Sequence, residues 1–295
     1  MPPSEPRHPG VRYVEVFCRG ALNRVRGMGF AWSLNPYVGC QHRCAFCYVR
    51  GFELRADRPA DERYGRTVRV KINVAAVLAH ELSRRSWRDE GVAVGTATDP
   101  YQPAEGRYRL TRHCLEVLSR HASFVDLITR GPLVVRDVDV LKDLDRGPGA
   151  SVTFSVPTLD DEVWRRTEPG TAHPRQRLRA LARLAAAGVE TGVAMAPILP
   201  GLSDGPESLE AVVRASREAG ARYLWASVVN LREGTREHFL GVLSRHWPEL
   251  LPGYLEIFSD RGYAPARLSQ EVASRVSRLR GMHAVPGARR ARPQP

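Results

Sequence analysis

Lysine is almost missing from this chain. Of 44 basic residues among 295, only Lys71 and Lys142 are lysines; the rest are arginines. The net charge of +12 is spread along the chain among many acids, so it permits a nucleic-acid partner without marking a phosphate-binding stripe. Long hydrophobic runs are missing too: no stretch reaches the roughly eighteen apolar residues of a membrane span. Met1 to Gly10 contains no apolar signal core. A cytoplasmic protein with no membrane contact is therefore expected. Cysteine is scarce, with five residues. There is no second C-x-x-C and no H-x-x-H, the paired blocks from which zinc modules are usually built. A disulfide suits a secreted chain and would leave one of three clustered cysteines over.

Those three cysteines lie in Asn35-Pro36-Tyr37-Val38-Gly39-Cys40-Gln41-His42-Arg43-Cys44-Ala45-Phe46-Cys47-Tyr48. The spacing C-x3-C-x2-C lets all three sulfurs face one point from a single loop. Thiolates are the standard ligands of iron–sulfur clusters, and a fully protein-ligated four-iron cluster takes four. The loop supplies three, and Cys18 and Cys114 stand at no motif spacing from it. One iron would be left without a protein ligand. The alternative is a zinc-stabilised nucleic-acid-binding protein, with His42 as fourth ligand and the arginines as its phosphate surface.

The three-plus-one arrangement, with Phe46 just before the last cysteine, resembles the signature of the radical S-adenosylmethionine (SAM) superfamily. That resemblance implies a [4Fe-4S] cluster on Cys40, Cys44 and Cys47 whose open iron binds SAM. It implies reductive cleavage of SAM to methionine and a 5′-deoxyadenosyl radical, which takes a hydrogen atom from a substrate. It also implies an electron donor such as flavodoxin or ferredoxin.

Along the chain, residues 1–24 are rich in Pro and Arg and read as a loose extension. Strands are expected at Ala31–Tyr37, Gly91–Thr98, Phe124–Thr129, Ser151–Val156, Val189–Ile198 and Tyr223–Val229. Helical spacing marks 71–87, 107–121, 138–144, 173–187 and 206–219, and Arg50 to Arg69 reads as a surface excursion. Six β/α units with no seventh or eighth predict a partial, open (β/α)6 barrel of TIM type, the fold that the resemblance also implies. The core would span 25–234. A helical C-terminal extension over 235–295 would follow, with helices at 235–246 and 270–282 and a disordered end from Pro286.

In such a barrel the functional groups gather at the C-terminal strand ends. There the sequence places Thr98 and Asp99 after strand two, where a carboxylate and hydroxyls suit the SAM ammonium group. Arg130 follows strand three and suits the methionine carboxylate. Ser155 ends strand four, within reach of a ribose. Ala196 ends strand five, where it and Phe46 would lie against the adenine. Arg166 and Glu168 read equally as site residues or as a surface ion pair. Met195 and Cys114 read as core, and Cys18 as an incidental thiol.

The motifs Gly95–Glu105, Ile128–Leu141, Thr167–Gly170 and Ala194–Asp204 together resemble the spore photoproduct lyase-like branch of the superfamily, over roughly 30–232. This implies lyase-type chemistry. True spore photoproduct lyases carry a hydrogen-donating cysteine at the end of strand two, and the matching position here is Thr96. A hydroxyl is a far poorer hydrogen-atom donor than a thiol.

Overall fold

The computed structural model describes residues 10–88, 90–121, 124–259 and 262–286. In chain order the first elements are β1 (Arg12–Val16), β2 (Leu22–Arg24), β3 (Trp32–Leu34), β4 (Tyr37–Val38), α1 (Arg50–Arg55), β5 (Thr67–Lys71), α2 (Val74–Leu82) and β6 (Val92–Val94). Then come α3 (Pro103–Tyr108), α4 (Leu110–Arg120), β7 (Val125–Thr129), α5 (Val138–Arg146), β8 (Ala150–Ser155), α6 (Asp161–Thr167), α7 (Pro174–Ala186) and β9 (Glu190–Ile198). The chain continues through α8 (Pro206–Glu218), β10 (Tyr223–Val228), α9 (Thr235–His246), α10 (Leu251–Ile257) and α11 (Ala266–Met282). None of the described helices is long and apolar enough to cross a membrane.

Strands β3, β6, β7, β8, β9 and β10 run parallel and lie in sequence order, each paired with the next. Helices cross between them, as parallel neighbours require. The sheet order runs β10-β9-β8-β7-β6-β3-β2, with different strands at its two ends. This is the expected partial (β/α)6 barrel, left open between β2 and β10. All six residues of β8 are buried, as befits a central strand covered on both faces. Helix α4 turns Leu110, Cys114, Leu115 and Leu118 inward at helical spacing. Burying each such leucine contributes about 2 kcal/mol. Met195 and Cys114 are both core residues.

Four expectations are corrected. Residues 10–24 are not loose: β1 pairs in parallel with β5, and β2 pairs antiparallel with β3. The first strand breaks at Asn35-Pro36, because proline has no N–H for the ladder, and β4 turns away to pair antiparallel with β5. The supposed excursion after Arg50 therefore contains α1 and ends in the strand that anchors the cysteine loop. The single helix expected over 107–121 is two, broken at Arg109 in the left-handed region (φ 55°). There the buried Glu105 carboxylate accepts from the Thr111 N–H (2.9 Å), capping α4. The stretch expected to be disordered at the C-terminus lies, beyond Pro286, outside the described residues.

The extension after residue 234 packs on the barrel. Arg280 donates to the Leu224 carbonyl (3.0 Å), and the Leu224 N–H donates to the Pro286 carbonyl (3.1 Å). These bonds cover the exposed edge of β10, which would otherwise offer unpaired backbone groups.

Candidate active site

The cysteine loop leaves β4 and closes with three local backbone bonds: Arg43 N–H to Cys40 O (3.3 Å), Cys47 N–H to Cys44 O (3.2 Å) and Arg50 N–H to Cys47 O (3.1 Å). Longer fasteners come from elsewhere in the barrel. Gln102, fully buried, donates to the Gly39 carbonyl (3.2 Å) and accepts from the Gln41 N–H (3.0 Å). The turn after α6 donates from the Gly170 N–H to His42 O (3.1 Å) and accepts from the Ala45 N–H at Thr167 O (2.7 Å). A Cβ on Gly170 would meet the Gln41 carbonyl, so only glycine allows that turn so close to the loop. Thr235, at the start of α9, donates its hydroxyl to the Cys47 carbonyl (2.9 Å). Three separated segments thus hold one loop in place.

Cys40, Cys44 and Cys47 are free thiols and line one cavity with Thr96, Thr98, Asp99, Thr129 and Arg130, at the C-terminal ends of β3, β6 and β7. Burial, and then the Asp99 charge, push the Cys40 thiol well up. Burial likewise takes Cys44 to about 12. Metal binding must therefore displace protons from both.

Asp99 is a hub. Its carboxylate accepts from the Tyr101 N–H (2.8 Å), the Thr129 hydroxyl (2.7 Å) and the Arg130 N–H (2.6 Å). His42 Nδ1 stands 3.3 Å from Oδ2, off the line of a good hydrogen bond. Burial opposes the charge, but His42 and these donors outweigh it and hold the carboxyl at about 2. Thr98 is fixed by its N–H to Asn35 Oδ1 (3.2 Å) and its hydroxyl to Tyr37 O (3.3 Å). The same Asn35 donates to the Thr96 hydroxyl (3.3 Å).

On the far side of the cavity, the Arg130 guanidinium lies 5.6 Å from the centre of the Phe46 ring. It donates to Glu168 (2.7 Å) and to the Ala196 carbonyl (3.2 Å), which also accepts from the Ser155 hydroxyl (2.8 Å). Four residues picked from separate strand ends, Phe46, Arg130, Ser155 and Ala196, thus form one connected patch. The surface pairing of Glu168 with Arg166 is corrected: Glu168 is fully buried and pairs with Arg130 and Arg177. Burial works against its charge, yet Arg177 and Arg130 hold its carboxyl below the usual range. Sequence reasoning missed Gln102, Asn35, Arg177, Arg50 and Tyr64. Only Gln102 and Asn35 lay inside quoted motifs; Arg177 reads as one more charge on a helix.

The donor set fits an iron–sulfur cluster better than a single ion. Zinc would need a fourth donor beside the three thiols. His42, the fourth ligand of the zinc alternative, faces Asp99. Three thiols around a cavity instead suit a cluster that spreads its ligands over several irons. Arg50, fully buried, stands behind the ring of Tyr64, whose hydroxyl lies 3.4 Å from Cys47 Sγ.

Comparison with known proteins agrees. Residues 34–215 match the radical SAM superfamily. An uncharacterized protein of Mycobacterium tuberculosis is 36% identical over 291 residues, covering 98% of this chain and 86% of its own. A radical SAM Nalpha-GlyT isomerase of Pseudomonas phage M6 is 27% identical over 169 residues, 57% of this chain and 33% of its own. Among solved structures, a spore photoproduct lyase complexed with dinucleoside spore photoproduct superposes with a TM-score of 0.69 at 16% identity, covering 92% of this chain and 79% of that one. The match over residues 34–215, more than half of the chain, leads to one conclusion: this chain belongs to the radical SAM superfamily.

Proposed function

We propose that this protein holds a [4Fe-4S] cluster on Cys40, Cys44 and Cys47, binds SAM beside it, and removes a hydrogen atom from a nucleic-acid substrate in lyase-type chemistry. The observation that carries the reading is the set of three free cysteines lining one cavity at the C-terminal strand ends of a radical SAM barrel. Cluster and SAM together would supply the reductive cleavage that yields the 5′-deoxyadenosyl radical.

The chain's own residues bind and orient. Arg130, with one face on Phe46 and its Nε on Glu168, is placed to turn a guanidinium edge toward the SAM carboxylate. Ser155 and Ala196 would take the ribose and adenine, and Phe46 the base. Thr98 lies beside the SAM amino group in this reading. Asp99, whose oxygens are already engaged by protein donors, would position the Arg130 backbone and His42 rather than meet the ammonium group directly. Water is kept out by the buried loop around Cys40 and Cys44.

Support for a nucleic-acid substrate comes from the net charge of +12 and from the neighbour solved with a dinucleoside spore photoproduct. The cavity lacks a further thiol among the described residues: Thr96 lines it, whereas Cys114 is buried under α4. Hydrogen return by the thiol route of spore photoproduct lyases is therefore not part of the proposal. A flavodoxin- or ferredoxin-type donor in a reducing cytoplasm would supply the electron.

The test is anaerobic reconstitution with iron and sulfide, then incubation with SAM and dithionite while 5′-deoxyadenosine is measured. A brown protein that forms it, and a Cys47→Ala variant lacking both cluster and product, are expected. A colourless protein holding zinc and forming none overturns the reading.

A further inference from the structure

A further role follows from Tyr64, which lines the same cavity as the three cysteines, and from Arg50 behind its ring. It rests on the cluster reading above and deepens it. The Tyr64 hydroxyl lies 3.4 Å from Cys47 Sγ, and among the described residues it has no other hydrogen-bond partner. A cysteinate that holds iron carries no proton, so the tyrosine must donate. Tyr64 is 2% exposed.

Behind the Tyr64 ring, the Arg50 guanidinium stands 4.6 Å from the centroid. Arg50 is 1% exposed. Its Nη1 donates to the Ala60 and Asp61 carbonyls (2.6 and 2.8 Å), while Nε is buried without a partner. Salt bridges among the described residues do not include Arg50, and Glu62, which acts on it less strongly than Cys47, pairs with Arg245 at the surface (3.8 Å). His238, from α9, adds no second cation: burial, followed by the Arg50 charge, lowers it to about 4.

The other two sulfurs, of Cys40 and Cys44, line the cavity with Asp99 and Arg130. Among the described residues, Cys47 is the cysteine of the three that meets a side-chain hydroxyl, that of Tyr64, with the Arg50 cation behind the ring. Hydrogen bonds to cluster sulfurs and nearby positive charge favour the more negative, reduced state. We propose that Tyr64 and Arg50 are positioning residues that raise the reduction potential of the cluster, Tyr64 by donating to Cys47 Sγ and Arg50 by placing a buried cation behind it.

The test is an EPR-monitored redox titration of the reconstituted full chain. Tyr64→Phe keeps the ring under Arg50 and removes only the donor. It is expected to bind the same iron and sulfide as wild type, with a reduced-to-oxidised ratio at fixed potential lower by roughly tenfold, the size of one hydrogen bond to a charged group. Arg50→Gln is expected to lower that ratio further, and it decides the matter alone should Tyr64→Phe assemble no cluster. Unchanged midpoints in loaded variants overturn this inference and leave the cluster reading intact. A wild-type chain that takes up no cluster overturns both.

Discussion

Among the described residues, Arg50 and Arg177 are the two largest side chains that are fully buried, and their charges are met in opposite ways. Arg177 is answered by the protein itself. It donates to the Ala172 and Ser155 carbonyls (both 2.9 Å), to Thr171 Oγ1 (2.5 Å) and to the buried Glu168 carboxylate (3.1 Å). Arg50 has two carbonyls, one tyrosine face and an idle Nε. Taking a cation out of water costs several kcal/mol unless an anion and hydrogen bonds repay it. Arg177 is a finished structural pair, whereas in the proposed reading Arg50 would be met by the negative charge of a loaded cysteine loop. A buried charge with no partner of its own is thus a sign of a missing ligand, and one with a full set is a sign of architecture.

The comparison can be broken most sharply at Glu168. Glu168→Ala would strand Arg177 and half-strand Arg130, and should cost about 3–5 kcal/mol by chemical denaturation. That cost should be the same with and without the cluster; a cost confined to the loaded protein would make Glu168 a cofactor residue instead. Arg50→Met should behave in the opposite way. In cluster-free protein it should be neutral or stabilising by about 1 kcal/mol, since it removes an uncompensated charge. In the loaded protein it should be destabilising by about 2 kcal/mol, and equal effects in the two states would end the distinction.

Asp99 gives the smallest and most readily titrated contrast. Its folded carboxyl is held at about 2, below the unfolded value of roughly 3.9. The stabilisation, about 2 kcal/mol, is fully present above pH 4 and is lost as pH falls toward 2. The gap in thermal midpoint between wild type and Asp99→Asn should therefore close over that window. A gap that persisted unchanged to pH 2 would show that charge is not what Asp99 contributes.

Legibility differed between the parts of the molecule for physical reasons. The six parallel strands could be placed because each is a short apolar run bounded by turns and separated by a helix of regular period. The segments that failed were those whose pairing is decided at a distance. β1 has no strong alternation of its own and is held by its register with β5. β4 is two residues long and exists because β5 receives it. At the candidate site, Phe46, Arg130, Ser155 and Ala196 could be grouped from sequence because strand ends of a parallel barrel converge on one rim. Glu168 was left open between a site role and a surface ion pair, because a charged residue in a polar stretch reads as solvated until its partners are known.

What the sequence by itself determined is the chemistry of the loop and the class of the fold: C-x3-C-x2-C fixes three sulfurs within eight residues, and alternating β and α periods allow few topologies. What only the tertiary structure decided is the environment of those sulfurs. Tyr64 lies 17 residues from Cys47 in sequence and Thr235 lies 188 away. Electrostatic and hydrogen-bond energies depend on distance in space, which no spacing along the chain records.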